Sequence, residues 1–289
     1  MKALLRITLL SAIAAICLFG DVTYDQSAKF TGGSLIDMMR SMANNPMLGR
    51  MGGAGMKTAF QDQNFKIYVK GSKMARIGEL ISSIYDLDAG TVTTINHQKH
   101  TYSVMTFDEM REQMQRIQQR GSRGPAPNFD FDVKVDKTGQ TRTIDGQTAT
   151  EVMMTLTAKS ASANGQMVVK NDLWGVPLDD TKHELVDFYK RLSEKFAYAF
   201  AGGPGLGGGG AGIAAAMKES LKLDSYPILD DIDVSGVAGS MNPMMGQGNP
   251  DPNAPLIKME MHSSNFVAGS VDDSKFAVPA GYSEENRRR

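Results

Sequence analysis

The sequence predicts an α+β protein: one antiparallel sheet with amphipathic helices laid over it. Three observations carry this reading. Apolar residues recur at every second position through 57–105 and again through 131–174, and turn residues punctuate both series. At 106–120 and 181–200 the apolar spacing changes to three and four, the period of a helix with one buried face. The strand runs follow one another through short turns, the connection that antiparallel neighbours use.

Taken in order, Val22, Tyr24, Gln26, Ala28 and Phe30 alternate with mostly polar neighbours and form a strand with one buried face. Ser34 is a helix cap before Leu35, Ile36, Met38, Met39 and Met42, and Gly49, Gly52, Gly53 and Gly55 break the segment that follows. Phe65, Ile67 and Val69, then Ile81, Ile84 and Tyr85, then Val92 and Thr94, then Tyr102 and Val104 make a meander. Its turns fall at Lys70-Gly71-Ser72, Asp88-Ala89-Gly90 and Asn96-His97-Gln98-Lys99. A helix from Thr106 carries Phe107, Met110, Met114 and Ile117 on one face and stops at the loop 121–127.

The second strand series runs through Phe131, Val133 and Val135, a turn at Lys137-Thr138-Gly139-Gln140, then Thr141 to Ile144. After a turn at Asp145-Gly146 it continues through 149–156 and closes with 168–174. Residues 181–200 place Leu185, Phe188, Tyr189, Leu192, Phe196 and Phe200 on a stripe opposite Lys190, Arg191, Glu194 and Lys195. The stretch 202–212 is too rich in glycine to hold a core and reads as a flexible hinge before a short helix at 214–221. Two final strands, 228–234 and 256–262, flank a Gly, Pro, Asn and Met loop at 239–255.

Residues 1–20 have the form of a secretory signal: Lys2 and Arg6, an apolar core from Ile7 to Phe19, and small Gly20 before Asp21. Thirteen apolar residues fall well short of the roughly 20 needed to span a bilayer, so cleavage after Gly20 and a periplasmic or secreted product are expected. Ile16 and Ala14 precede Cys17 where a lipoprotein signal has a small residue and Leu, so Cys17 is expected to leave with the signal. The mature chain then has no cysteine, which excludes disulfides and thiol chemistry. A single domain over 21–282, with insertions at 202–212 and 239–255 and a basic tail at 283–289, accounts for the rest.

The chain carries −1 from 31 Lys and Arg against 32 Asp and Glu, and −3 once Lys2 and Arg6 are removed. Its one basic cluster is Arg287-Arg288-Arg289, so no nucleic-acid partner is expected. The glycine stretch 202–212 lacks the Gly-Lys-Ser/Thr ending of a phosphate loop and follows a helix. No Gly-x-Ser-x-Gly elbow, His-Glu-x-x-His helix or identifiable triad is present, so no catalytic residues, resident metal or cofactor are assigned. His97 and His100 flank a hairpin turn and are expected to point to opposite faces as solvated turn residues. Asp130 with Asp132, and Asp179 with Asp180, read as solvated carboxylates.

Six methionines (Met38, Met39, Met42, Met47, Met51, Met56) fall in one segment. Met is an adaptable apolar filler, lines surfaces that take greasy ligands, and can bind Cu(I); all three uses stay open.

Several short motifs together resemble the domain-of-unknown-function 4412 family, which is similar to the LolA/LolB-type lipoprotein carriers. They are Lys70-Gly71-Ser72-Lys73-Met74-Ala75-Arg76, Ile84-Tyr85-Asp86 with 91–102, Thr141 to Gly146 leading into Ala149-Thr150-Glu151, Asp172-Leu173-Trp174, and Phe276 to Tyr282. The resemblance implies a strongly curved half-barrel whose hollow is covered by the helices at 34–48, 106–120 and 181–200. Its implied function is non-enzymatic binding of a lipid or other apolar ligand, with peripheral or transient membrane contact. Met38, Met42, Met110, Met114, Trp174, Phe188 and Leu192 are the expected cavity or lid residues. The alternatives are a Met-based Cu(I) site and a structural or protein-interaction module of the envelope.

Overall fold

A computed structural model describes residues 20–44, 61–121, 129–160, 166–200, 210–236 and 254–285. In chain order these form β1 (Val22–Gly32), α1 (Ser34–Asn44), β2 (Gln63–Lys70), β3 (Lys73–Gly78), β4 (Ile81–Asp86), β5 (Thr91–Asn96) and β6 (Thr101–Thr106). Then come α2 (Phe107–Gly121), β7 (Phe129–Ile144), β8 (Gln147–Ser160), β9 (Gln166–Pro177), α3 (Asp180–Phe200), α4 (Gly210–Ser220), β10 (Ser225–Gly236) and β11 (Pro255–Ala268). A 3-10 turn (Asp273–Phe276) and β12 (Ser283–Glu284) finish the described chain. The signal segment with Cys17, the Met47, Met51 and Met56 stretch, most of the glycine stretch, nearly all of the 239–255 loop and the terminal arginines lie outside the described residues.

All twelve strands join one open sheet, in the order β12-β6-β5-β4-β3-β2-β1-β11-β10-β9-β8-β7. It is antiparallel except for the two-residue β12, which runs parallel to β6. The order is two meanders joined where β1 pairs with β11. Short turns set β2 to β6 and β7 to β9 side by side, helices lie in the longer connections from β1 to β2 and from β9 to β10, and α2 lies between β6, near one edge, and β7 at the other. Among the described residues no helix is long and apolar enough to cross a membrane.

Two expectations are corrected. Lys137 to Gln140 is not a turn between strands, because β7 runs unbroken over 16 residues. Lys137 pairs with Val152 and Thr141 with Thr150, so four steps of β7 match two of β8. Gly139, at φ 75°, and Thr138, whose hydroxyl donates to the Glu151 carboxylate at 2.5 Å, absorb the excess as a bulge. The helix expected at 214–221 begins at Gly210, so Gly210 to Gly212 are its first turn rather than part of a hinge.

The sheet parts in the middle. Pairing between β10 and β11 starts at Leu229 with His262, whereas β10 follows β9 up to Ser225 and β11 follows β1 up to Ala268. Helix α3 fills the opening between the separated ends. Its Leu185 and Phe188 are fully buried against Val22 and Tyr24 of one half, and Trp174, Val176, Tyr226 and Ile228 of the other. The Tyr226 and Phe266 rings meet edge to face at 5.6 Å across the fork. Asp179 starts the helix by accepting the Lys182 amide at 2.9 Å.

Each half is covered on both faces. Met74 and Ala75 are consecutive and point to opposite sides of β3. Met74 joins the α3 core, and Ala75 packs with Ile84, Ile95, Phe276, Val278 and Tyr282 under the C-terminal segment. Likewise Trp174 faces the α3 core, whereas Leu173 joins Val152, Met154 and Leu223 beside Ala216 of α4.

Candidate functional site

Tyr24, Ile67 and Arg76 stand opposite one another across β1, β2 and β3, and so project on one face, toward α3. That register sets a guanidinium into an apolar wall. The Arg76 group lies 3.6 Å from the centroid of the Phe65 ring. Its Nε is buried without a hydrogen-bond partner, and Arg76 has no carboxylate ion-pair partner among the described residues. Burial pushes its pKa down, and the nearby Tyr85, Tyr189 and Tyr24 oppose that shift.

The surrounding polar groups are phenols. The Tyr24 and Tyr189 hydroxyls are 2.9 Å apart, and the Tyr226 hydroxyl is close enough to couple to Tyr24. Burial raises the pKa of all three, so they are neutral hydrogen-bonding groups at physiological pH. A half-buried guanidinium beside neutral hydroxyls, with its Nε unpartnered, has hydrogen-bonding capacity left for an anionic or polar group.

Helix α3 closes this site through polar tethers at its rim. Arg191 Nη2 donates to the Gly71 carbonyl at 2.9 Å and Lys195 Nζ to the Leu87 carbonyl. Both acceptors are main-chain groups at the ends of strands in the first meander.

Of the residues expected to line a cavity, Trp174, Phe188 and Leu192 share the α3 core, and Met110 of α2 packs against it. Met38 is half-buried on α1, which lies on β1 and β11 apart from that cluster. The side chains of Met42 and Met114 lie outside the described residues. Arg76 was visible only as part of a motif; the signal for its role is a charge at the inward parity of a strand that also buries Met74.

His97 and His100 depart from expectation, since both rings contact Tyr282, at 5.8 and 5.1 Å. His100 adopts φ 52°, a left-handed twist that breaks the strand alternation separating residues three apart. His97 Nε2 lies 2.6 Å from Ser82 Oγ and its Nδ1 2.9 Å from the Tyr282 hydroxyl. Ser82 is only 1% exposed and also accepts the Gly78 amide at 3.3 Å. This trio holds the C-terminal segment down rather than presenting a nucleophile.

A second electrostatic feature lies in the other half. Asp172, Asp231 and Glu260 oppose one another across β9, β10 and β11. Burial, with Asp231 and Asp172 beside it, pushes the Asp230 carboxyl up to about 7.

Neither a protein-family model nor a curated protein matches the chain. The likeness to the domain-of-unknown-function 4412 family therefore rests on its short motifs, of which the Asp145-Gly146 turn, Trp174 and Tyr282 occupy a tight hairpin, the α3 core and the C-terminal clip.

Proposed function

We propose that this chain is an exported, non-catalytic binding protein of the envelope that takes a lipid or other apolar ligand in the space occupied by α3. The observation that carries this reading is the Arg76 guanidinium, its Nε buried without a partner, set near tyrosine hydroxyls in an apolar wall under a single helix. An apolar ligand with a polar head needs that combination, and a closed core does not. The ligand enters as α3 lifts from its rim tethers, which exchange readily for water.

The half-barrel of the carrier-like family fits the same reading. Over Lys182 to Lys195 one helix reaches Phe266 of β11, Tyr24 of β1, the β2–β3 turn and the end of β4. Those 13 steps rise about 20 Å. The four strand intervals from β11 to β4 measure about 19 Å along a sheet, so one helix spans the width of that half of the wall. The resemblance, the signal segment and the absence of a recognisable catalytic motif in the sequence lend further support, and partner contact is proposed to be transient and at a membrane surface.

The test is lipid analysis of protein purified from its native envelope, followed by titration of delipidated protein with cis-parinaric acid. A co-purifying lipid and saturable uptake, weakened about tenfold by Arg76→Leu, are expected. Neither lipid nor saturable uptake would overturn the proposal.

A further inference from the structure

The face of β1 opposite Tyr24 carries a different kind of space. A cavity of about 420 Å³ opens over β1, β2 and β11, and six of its side chains form two rows of three. Asp25 stands opposite Lys66 and Ser264, and Ser27 stands opposite Asn64 and His262. Residues in register share a face, so the six groups form a grid about 5 Å across strands and about 7 Å along them.

Three of the six side chains in this grid already have polar partners. Lys66 pairs with Asp25 at 2.9 Å, Asn265 Nδ2 donates to the same carboxylate at 2.8 Å, and His262 Nε2 lies 2.8 Å from Asp145 in the β7–β8 turn. Ser27, Asn64 and Ser264 make no side-chain hydrogen bond among the described residues. Unspent capacity thus resides in hydroxyls and an amide, which donate and accept equally, and there is no net charge to attract an ion.

We propose that this cavity is a binding site for a neutral, polyhydroxylated ligand of mono- or disaccharide size. A sugar hydroxyl both donates and accepts, so adjacent hydroxyls can bridge the Asp25 carboxylate, the Asn64 amide and the two serines without separating the Lys66–Asp25 ion pair or the His262–Asp145 contact. The volume lies within the range of small-molecule sites. The hydrogen bonds from Lys66 and Asn265 hold the Asp25 carboxyl below its ordinary pKa, which keeps it an acceptor in mildly acidic surroundings. His262, at one side of the cavity, is held by Asp145 of the β7–β8 turn at 2.8 Å. The six polar groups lie on the other face of β1 from the Arg76 site, and Phe65, against Arg76, is the residue common to both.

Saturation-transfer NMR on the full mature chain tests it, with glucose, N-acetylglucosamine, maltose and trehalose as neutral probes and glucuronic acid and glucose 6-phosphate as charged ones. At least one neutral sugar is expected to bind with a dissociation constant of about 1 mM or below, and about tenfold more weakly in Asn64→Ala. Ser27→Ala, the milder change, should weaken it in the same direction while the amide spectrum stays that of the folded protein. No neutral sugar binding at about 50 mM, a preference for the charged sugars, or affinity unchanged in both variants would each overturn the assignment.

Discussion

The hydroxyls of Tyr24 and Tyr189 meet at 2.9 Å and join β1 to α3 across 165 positions of sequence. Both rings belong to the packing of the fork, where Tyr24 is fully buried and stacks on Phe266 at 5.1 Å. The bond fixes where α3 sits along the opening, a choice that apolar contacts alone leave loose.

Removing one hydroxyl leaves the other buried with fewer partners. Tyr189→Phe and Tyr24→Phe are each expected to lower stability by about 1–2 kcal/mol. The double variant should cost less than the two losses combined, with a coupling of about 1 kcal/mol. Urea denaturation of the four proteins provides the cycle; strict additivity would show that the hydroxyls do not interact.

Asp230 makes stability depend on pH. Its folded pKa is raised to about 7 from 3.8, chiefly by burial, so between those values the folded state holds a proton that the unfolded state has lost. Stability therefore falls as pH rises through this window, and the loss is complete above it. Asp230→Asn should flatten the profile and gain on the order of 2–4 kcal/mol over the parent at pH 8, with little gain near pH 4. Unfolding midpoints of both proteins across pH 4–8 provide the measurement.

The Ser82–His97–Tyr282 chain fastens the C-terminal segment to β4, β5 and β6. His97→Ala should destabilise the protein by about 1–3 kcal/mol, because Ser82 loses its buried partner. It should also speed tryptic cleavage at Lys275. His100→Ala removes only a ring contact and should leave cleavage near the parent rate.

Much of the fold is legible in the residues. The first meander follows from alternation between Gly and Asp turns, and α3 from a stripe that recurs over five turns, since both signals are local. The β7 bulge is not legible, because Lys-Thr-Gly-Gln suits a turn equally well and only the partner residue Glu151 decides between them. Phe188, Leu192 and Trp174 could be named as inward-facing, but not grouped with Arg76, which reaches them through strand register. The shared contact of His97 and His100 with Tyr282 was hidden by a φ value that no residue pattern announces.

By itself, the sequence determined the α+β class and most of the order of strands and helices, though not β3 or β12, because periodicity and turn chemistry act over a few neighbouring residues. Tertiary structure alone decided that the two meanders join through β1 and β11, that they part above Leu229 and His262, and that α3 fills the gap. Those facts depend on contacts between residues far apart in the chain, and they set the Arg76 guanidinium of β3 and the Tyr24 hydroxyl on one face of the sheet and a polar grid on the other face of β1.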